Sequence, residues 1–145
     1  MAIERQAHAT WEGDLMSGTG RFTLGSGAID EQEVTWASRT EESEGKTSPE
    51  ELIAAALASC FSMALSHGLA EAGHAPTRLE TDTVATFERT GEGFRMTRID
   101  VKVRGEVEGV DEDAFREAAE QAKVGCPVSN ALKGNVELSL DASLA

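Results

Sequence analysis

Ser48-Pro49-Glu50-Glu51-Leu52-Ile53-Ala54-Ala55-Ala56-Leu57-Ala58-Ser59-Cys60-Phe61-Ser62-Met63-Ala64-Leu65 is the stretch on which the fold turns. Ser48 is a side chain that caps orphan helix amides, Pro49 suits a first helical position, and Glu51 completes a capping box, with both glutamates favoured at the positive end. A helix is therefore expected from here towards Gly73. It is apolar or small on nearly every side, so a buried helix at the centre of the fold is expected, its alanines allowing neighbours close.

Outward from that helix the chain reads as mixed α and β. Asp111 is a second helix cap, with Val110 and Phe115 at staple spacing and Ala114, Phe115, Ala118, Ala119 and Ala122 on one stripe. Strands are expected where Val34 and Trp36 alternate with Thr35 and Ala37, where Val84 leads to Phe87, and where Val136, Leu138 and Leu140 alternate with polar neighbours. Between Phe94 and Val107 the apolar phase shifts, which a bulge near Thr97 and Arg98 reconciles; Gly91-Glu92-Gly93 before it marks a bent hairpin. The glycines of residues 12 to 31 serve turns, residues 41 to 46 form a charged loop, and nothing marks a boundary, so one domain over 1–145 is expected.

Composition narrows the partners. With 26 acidic residues against 13 basic ones the formal net charge is −13, which repels phosphate backbones and anionic lipid. The charged start Met1-Ala2-Ile3-Glu4-Arg5 lacks a secretory pattern, and the longest apolar stretch, broken by Ser59, Cys60 and Ser62, reads as too short and mixed to span a bilayer. The expectation is a cytoplasmic protein without nucleic-acid or membrane partners, whose two cysteines pair only transiently, if at all, in a reducing compartment.

Those cysteines occupy different settings. Cys60 lies deep in the first helix, far from its positive end, and apolar surroundings raise a thiol pKa; a reactive Cys60 needs a cation from elsewhere. Cys126 stands between Gly125 and Pro127, ahead of Val128-Ser129-Asn130-Ala131-Leu132-Lys133 and a terminating Gly134, and so caps a short helix whose amides favour thiolate. For each the plain alternative, a packed or capping cysteine without reactivity, stands beside the reactive one. His67 follows Cys60 by seven residues, about 10.5 Å of helical rise, and so cannot serve as its base within one helix. Three histidines and two cysteines without CxxC, HxH or HExxH spacing give no metal motif, and no phosphate-cradling loop is present.

Thr47-Ser48-Pro49-Glu50-Glu51-Leu52-Ile53 and Ala58-Ser59-Cys60-Phe61-Ser62-Met63-Ala64-Leu65-Ser66, with the later Gly125-Cys126-Pro127-Val128-Ser129, closely resemble the osmotically inducible protein C and organic hydroperoxide resistance family. The Cys-Pro-Val-Ser form is nearer the osmotically inducible branch. The resemblance implies an α+β fold in which a long buried helix packs against strongly bent antiparallel sheets, in an intertwined homodimer. It implies a thiol peroxidase that defends against oxidative stress, reducing organic hydroperoxides through Cys60 as attacking and Cys126 as resolving cysteine. Arg39 would be the thiolate's cation, with Arg21 the fallback, and Glu50 the carboxylate orienting that arginine. The resemblance further implies no metal, haem or flavin, and a dithiol reductant for which it suggests a lipoyl-bearing protein. Glu50 and Cys60 are ten helical residues apart, about 15 Å, so that carboxylate cannot touch the sulfur along a straight helix, and the hold on Arg39 is what the resemblance leaves to it. The alternative is a stress-induced binding or structural protein with packed cysteines.

Overall fold

The computed structural model describes residues 1–91 and 93–145, so Glu92, the middle of the expected Gly91-Glu92-Gly93 turn, lies outside the described residues. The chain divides into two compact units, Met1–Leu52 and Ile53–Ala145.

In the first unit β1 (Ala7–Glu12), β2 (Thr19–Leu24) and β3 (Gln32–Val34) form an antiparallel sheet in chain order. Gly20 is required where β2 passes Trp11, since a Cβ there would lie 2.7 Å from the indole. β3 stops at Val34, and the strand expected through Trp36 and Ala37 is instead the short helix α1 (Trp36–Thr40). The reason is local. Thr35 and Ser38 exchange backbone-to-hydroxyl bonds at 3.0 Å in both directions, a capping box that outbids two alternating apolar residues.

Helix α2 (Pro49–Glu71) starts as expected, with the Glu51 amide donating to Ser48 Oγ at 3.2 Å. The Glu51 carboxylate accepts from Thr47 Oγ1 at 2.7 Å rather than closing the box. The helix ends in a turn where the His74 amide donates to the Leu69 carbonyl and Gly73 takes φ +87°. Its 23 residues are, by length and composition, long and apolar enough to cross a bilayer, which corrects the expectation that the stretch is too short. One stripe of it, Leu57, Phe61, Leu65 and Leu69, instead belongs to the core of the second unit, none of the four more than 3% exposed.

The second unit adds β4 (Arg78–Thr90), β5 (Gly93–Glu106), α3 (Glu112–Gly125), α4 (Pro127–Leu132) and β6 (Glu137–Leu144). β4 and β5 are antiparallel, with a register shift after Thr86: Thr86 opposes Arg98 and Phe87 opposes Met96. Thr97 is the extra residue, so the bulge falls where the apolar phase placed it, and Met96 and Ile99 both reach the core. β6, however, runs parallel to β5, from Arg98 opposite Glu137 to Gly105 opposite Leu144. The expectation of wholly antiparallel sheets is corrected here: α3 and α4 form the crossover that lets the chain return in the same direction.

The core gathers Ile99, Val101 and Val103 of β5, Phe115, Ala119 and Ala122 of α3, Cys126 and Ala142 with the α2 stripe. At Gly105 a Cβ would meet the Phe115 ring at 2.6 Å, so the staple residue of α3 packs directly on bare backbone. Asp111 caps α3 as expected, accepting from the Ala114 amide at 2.8 Å. The inner face of β4 bonds α2 through hydroxyls: Thr83 Oγ1 donates to the Ala54 carbonyl at 2.9 Å, and Ser62 Oγ meets Thr81 Oγ1 at 2.8 Å.

Within the single chain one face of α2 is covered and the other is open. Met63 is 70% exposed and Leu52 37%, and Ala55, Ala56 and Ser59 are exposed alongside them. A helix apolar on all sides presents two apolar stripes, and the core of this chain covers one.

Candidate functional site

Proline decides where Cys126 sits. A residue before proline is pushed out of the helical region, and Cys126 accordingly takes φ −67° and ψ 122°, ending α3 and beginning α4 with Pro127 at its first position. The Cys126 amide still donates to the Ala122 carbonyl at 2.8 Å, which ties the junction to α3. Its sulfur thereby stands at the N-cap place of α4, where it makes no capping hydrogen bond yet feels the amides of Val128 and Ser129, and it is wholly buried.

Cys60 is half-buried on α2, between core residues Leu57 and Phe61. Both cysteines are free, and their side chains reach each other. That meeting drives their titrations apart. The Cys60 thiol is pushed up by burial and by the Cys126 side chain, opposed only in part by the Val128 amide. Burial also pushes Cys126 up, yet the Ser129 amide, the Cys60 thiol, the Ser129 hydroxyl and the Val128 amide together hold it below the ordinary thiol value. Relative to an ordinary thiol, thiolate is disfavoured at Cys60 and favoured at Cys126.

In the first unit Arg39 and Glu50 form an ion pair. Arg39 Nη2 donates to Glu50 Oε1 at 2.7 Å, and Nε lies 3.1 Å from both carboxylate oxygens. Glu50 is 7% exposed, so the pair is a desolvated, fork-like contact of the kind that fixes a guanidinium in place. The Arg39 guanidinium carbon also lies 5.9 Å from the centroid of the Trp36 ring. Both residues owe their positions to caps: α1 presents Arg39 in its last turn, and Ser48 starts α2 so that Glu50 falls in its first. Arg21, the fallback, is on β2, half-exposed and 3.8 Å from an equally open Glu31. Of the two arginines, Arg39 is the one rigidly held.

Sequence reasoning missed Ser129. It is third in α4, 4% exposed, and among the described residues its Oγ has no hydrogen-bond partner although it acts on the Cys126 sulfur. Leaving a buried hydroxyl unpaired costs about 1–3 kcal/mol. The available signal was its spacing, three residues after a capping cysteine. Ser129 also borders a cavity of about 220 Å³ lined by Lys123, Lys133, Val136 and Leu138 among others. A larger cavity of about 470 Å³ lies between α2 and α3, with His67, His74, Glu117 and Gln121 on its walls, and neither cavity is lined by a cysteine. Among the described residues no three His, Cys, Asp or Glu side chains gather as metal ligands would.

Two free thiols from separate helices, one capping a helix, within an α+β frame define a two-cysteine thiol protein. Residues 41–141 match the family model described as OsmC-like protein. The chain is 42% identical to Peroxiredoxin OsmC of Escherichia coli (strain K12) over 138 residues, which is 95% of this chain and 96% of that protein. It is 28% identical to the organic hydroperoxide resistance protein OhrB of Bacillus subtilis (strain 168) over 123 residues, 84% of this chain and 88% of that one. The crystal structure of an organic hydroperoxide resistance protein OsmC from Legionella pneumophila shares the fold, with a TM-score of 0.78 at 23% identity and 99% of each chain covered. The chain belongs to the OsmC-like family.

Proposed function

We propose that this protein is a cysteine-based peroxidase that reduces organic hydroperoxides to alcohols and so defends the cell against oxidative stress. The observation that carries the proposal is the meeting of Cys60 and Cys126, free thiols from two elements far apart in the chain. The names of the relatives, a peroxiredoxin and an organic hydroperoxide resistance protein, support a peroxide-related redox role.

In this reading the Cys60 thiolate attacks the distal peroxide oxygen, the O–O bond breaks, and the alkoxide takes a proton and leaves as alcohol. Cys60 is then a sulfenic acid. The Cys126 thiolate attacks it, hydroxide leaves as water after protonation, and a Cys60–Cys126 disulfide remains for a dithiol to reduce. The reductant is a dithiol, a lipoyl-bearing protein being the candidate.

Because Cys60 is pushed up where it stands, a cation has to favour its thiolate, and Arg39, oriented by Glu50, is proposed for that task. The same guanidinium stabilises the departing alkoxide. We further propose that the chain works as one domain in a homodimer in the cytoplasm, the uncovered Leu52 and Met63 face of α2 being the surface a second copy would cover. One observation favours a second reading, a non-enzymatic binding or structural protein with packed cysteines: burial pushes the Cys60 thiol up, against thiolate.

The test is one equivalent of an organic hydroperoxide, and separately of hydrogen peroxide, added to the reduced parent, Cys60→Ser and Cys126→Ser proteins, with thiol loss and peptide mass followed. A rapid disulfide in the parent, no turnover in Cys60→Ser and an oxidised Cys60 in Cys126→Ser are expected. Survival of both thiols moves the second reading ahead.

A further inference from the structure

Ser129 is the third residue of a helix whose cap is Cys126. In an ordinary capping box the third side chain reaches back to the cap's own amide. Here that amide already donates to the Ala122 carbonyl at 2.8 Å, so the hydroxyl is not needed there. It is buried, has no hydrogen-bond partner among the described residues, and shares one helical turn with the Cys126 sulfur. A neutral thiol is a weak acceptor and a thiolate a strong one.

We propose that Ser129 is a positioning residue for the second cysteine: its hydroxyl donates to Cys126 Sγ once that sulfur carries charge, and makes Cys126 the sulfur that leaves when a dithiol reduces the Cys60–Cys126 disulfide. The influence of the hydroxyl on Cys126, in the direction that favours thiolate, agrees with this. So does exposure: Cys126 is wholly buried and Cys60 half-buried, so an incoming thiolate meets the Cys60 sulfur first. That thiolate forms a bond to Cys60 Sγ, the Cys60–Cys126 bond breaks, and its electron pair goes to Cys126 Sγ, held by two amides and the Ser129 hydroxyl. The second thiol of the reductant then displaces Cys60, which regains its proton. A lower leaving-group pKa speeds such exchange.

The titratable group acting on Cys126 is the Cys60 thiol of α2. The α3 charges nearest in sequence, Glu120 and Lys123, pair with each other at 3.1 Å. Lys133 follows α4, and β6 brings Glu137 and Asp141, all three exposed. None of these charges is among the influences on Cys126, which come from Cys60, Val128 and Ser129 besides burial.

The leaving-group half rests on the disulfide cycle proposed above, while the thiolate half does not, and two measurements separate them. In a Cys60→Ser background, the ultraviolet absorbance of the thiolate gives the Cys126 titration with Ser129, Ala or Thr at position 129. Ser129→Ala is expected to raise the midpoint by about one pH unit, and Ser129→Thr, which keeps the hydroxyl, to leave it in place. An unmoved midpoint in Ser129→Ala, with a gain in Tm from losing an unpaired hydroxyl, overturns the proposal, as does an equal shift in both variants. With both cysteines present and the disulfide made by a thiol-specific oxidant rather than a peroxide, a small dithiol should reduce Ser129→Ala about threefold more slowly. An unchanged rate overturns the leaving-group half. Failure of peroxide to form the disulfide sinks the peroxidase reading and leaves the titration result standing.

Discussion

The two cysteines of this chain sit in contrasting places. Cys60 lies midway along α2, where its own helix has satisfied every amide near it and apolar side chains surround it. Cys126 lies at a break between two helices, where proline has turned the backbone and the sulfur feels the amides of Val128 and Ser129. Identical thiols are consequently pushed in opposite directions, Cys60 up and Cys126 down. Burial is the largest influence on both, so burial does not separate them. Hydrogen-bond donors do: Cys60, in a helix interior with no free amide of its own, feels only the Val128 amide of α4, whereas Cys126 at a helix start feels two amides and the Ser129 hydroxyl.

This contrast poses the sharpest question about the proposed chemistry, because the attacking sulfur is the one whose seat disfavours charge. The largest expected effect follows directly. Replacing Arg39 with Met should slow oxidation of Cys60 by organic hydroperoxide about a hundredfold, the loss typical of one donor to developing charge. Glu50→Gln should cost less, because the arginine stays but loses its fork of acceptors. A single-turnover rate within twofold of the parent in Arg39→Met breaks the assignment of that cation. Arg21→Met, which disturbs only an open pair, should leave the rate unchanged.

A middle-sized effect concerns the titrations themselves. Thiolate absorbance in Cys60→Ser should rise below the pH of an ordinary thiol, and in Cys126→Ser the remaining Cys60 should move down towards it, since the Cys126 side chain is one of the causes that push it up. Coincident curves in the two variants would erase the difference between the seats.

The smallest effect is on stability, and its sign differs between the seats. Cys126, lowered in the folded state, contributes stability that is present above the unfolded thiol pKa and is lost as pH falls through its folded value. Cys60, raised in the folded state, contributes stability that is present below the unfolded thiol pKa and is lost as pH rises through its folded value. Urea midpoints measured from neutral to alkaline pH should therefore climb in Cys60→Ser relative to a variant lacking both thiols, and fall in Cys126→Ser. Parallel curves would show that neither seat discriminates between thiol and thiolate.

Much of this was legible in the chain because it is local. Ser48 and Pro49 start α2, Asp111 starts α3, and Pro127 forces the break that turns Cys126 into a cap; each acts through bonds to residues within a turn. The Thr97 bulge was legible too, since a one-residue phase shift in a strand leaves a mark on the apolar alternation. Even the directions of the two thiol shifts follow from helix position, before any contact between them is known.

Other features were settled only by the fold. A strand alternates identically whether its partner runs parallel or antiparallel, so the direction of β6 beside β5 was invisible in its pattern. The Thr35 and Ser38 capping box that converts an apparent strand into α1 is short, and two apolar residues hid it. An apolar helix announces that it will be covered, yet not on which face, so the stripe of Leu57, Phe61, Leu65 and Leu69 was decided by the sheet and α3. The grip of Glu50 on Arg39 and the meeting of Cys60 with Cys126 bring together residues that no local rule relates. Helix starts, breaks and strand phases are determined by bonds within a few residues, which the sequence carries by itself, whereas pairings across the chain depend on the tertiary structure, because each side chain meets whatever the packing of distant segments sets opposite it.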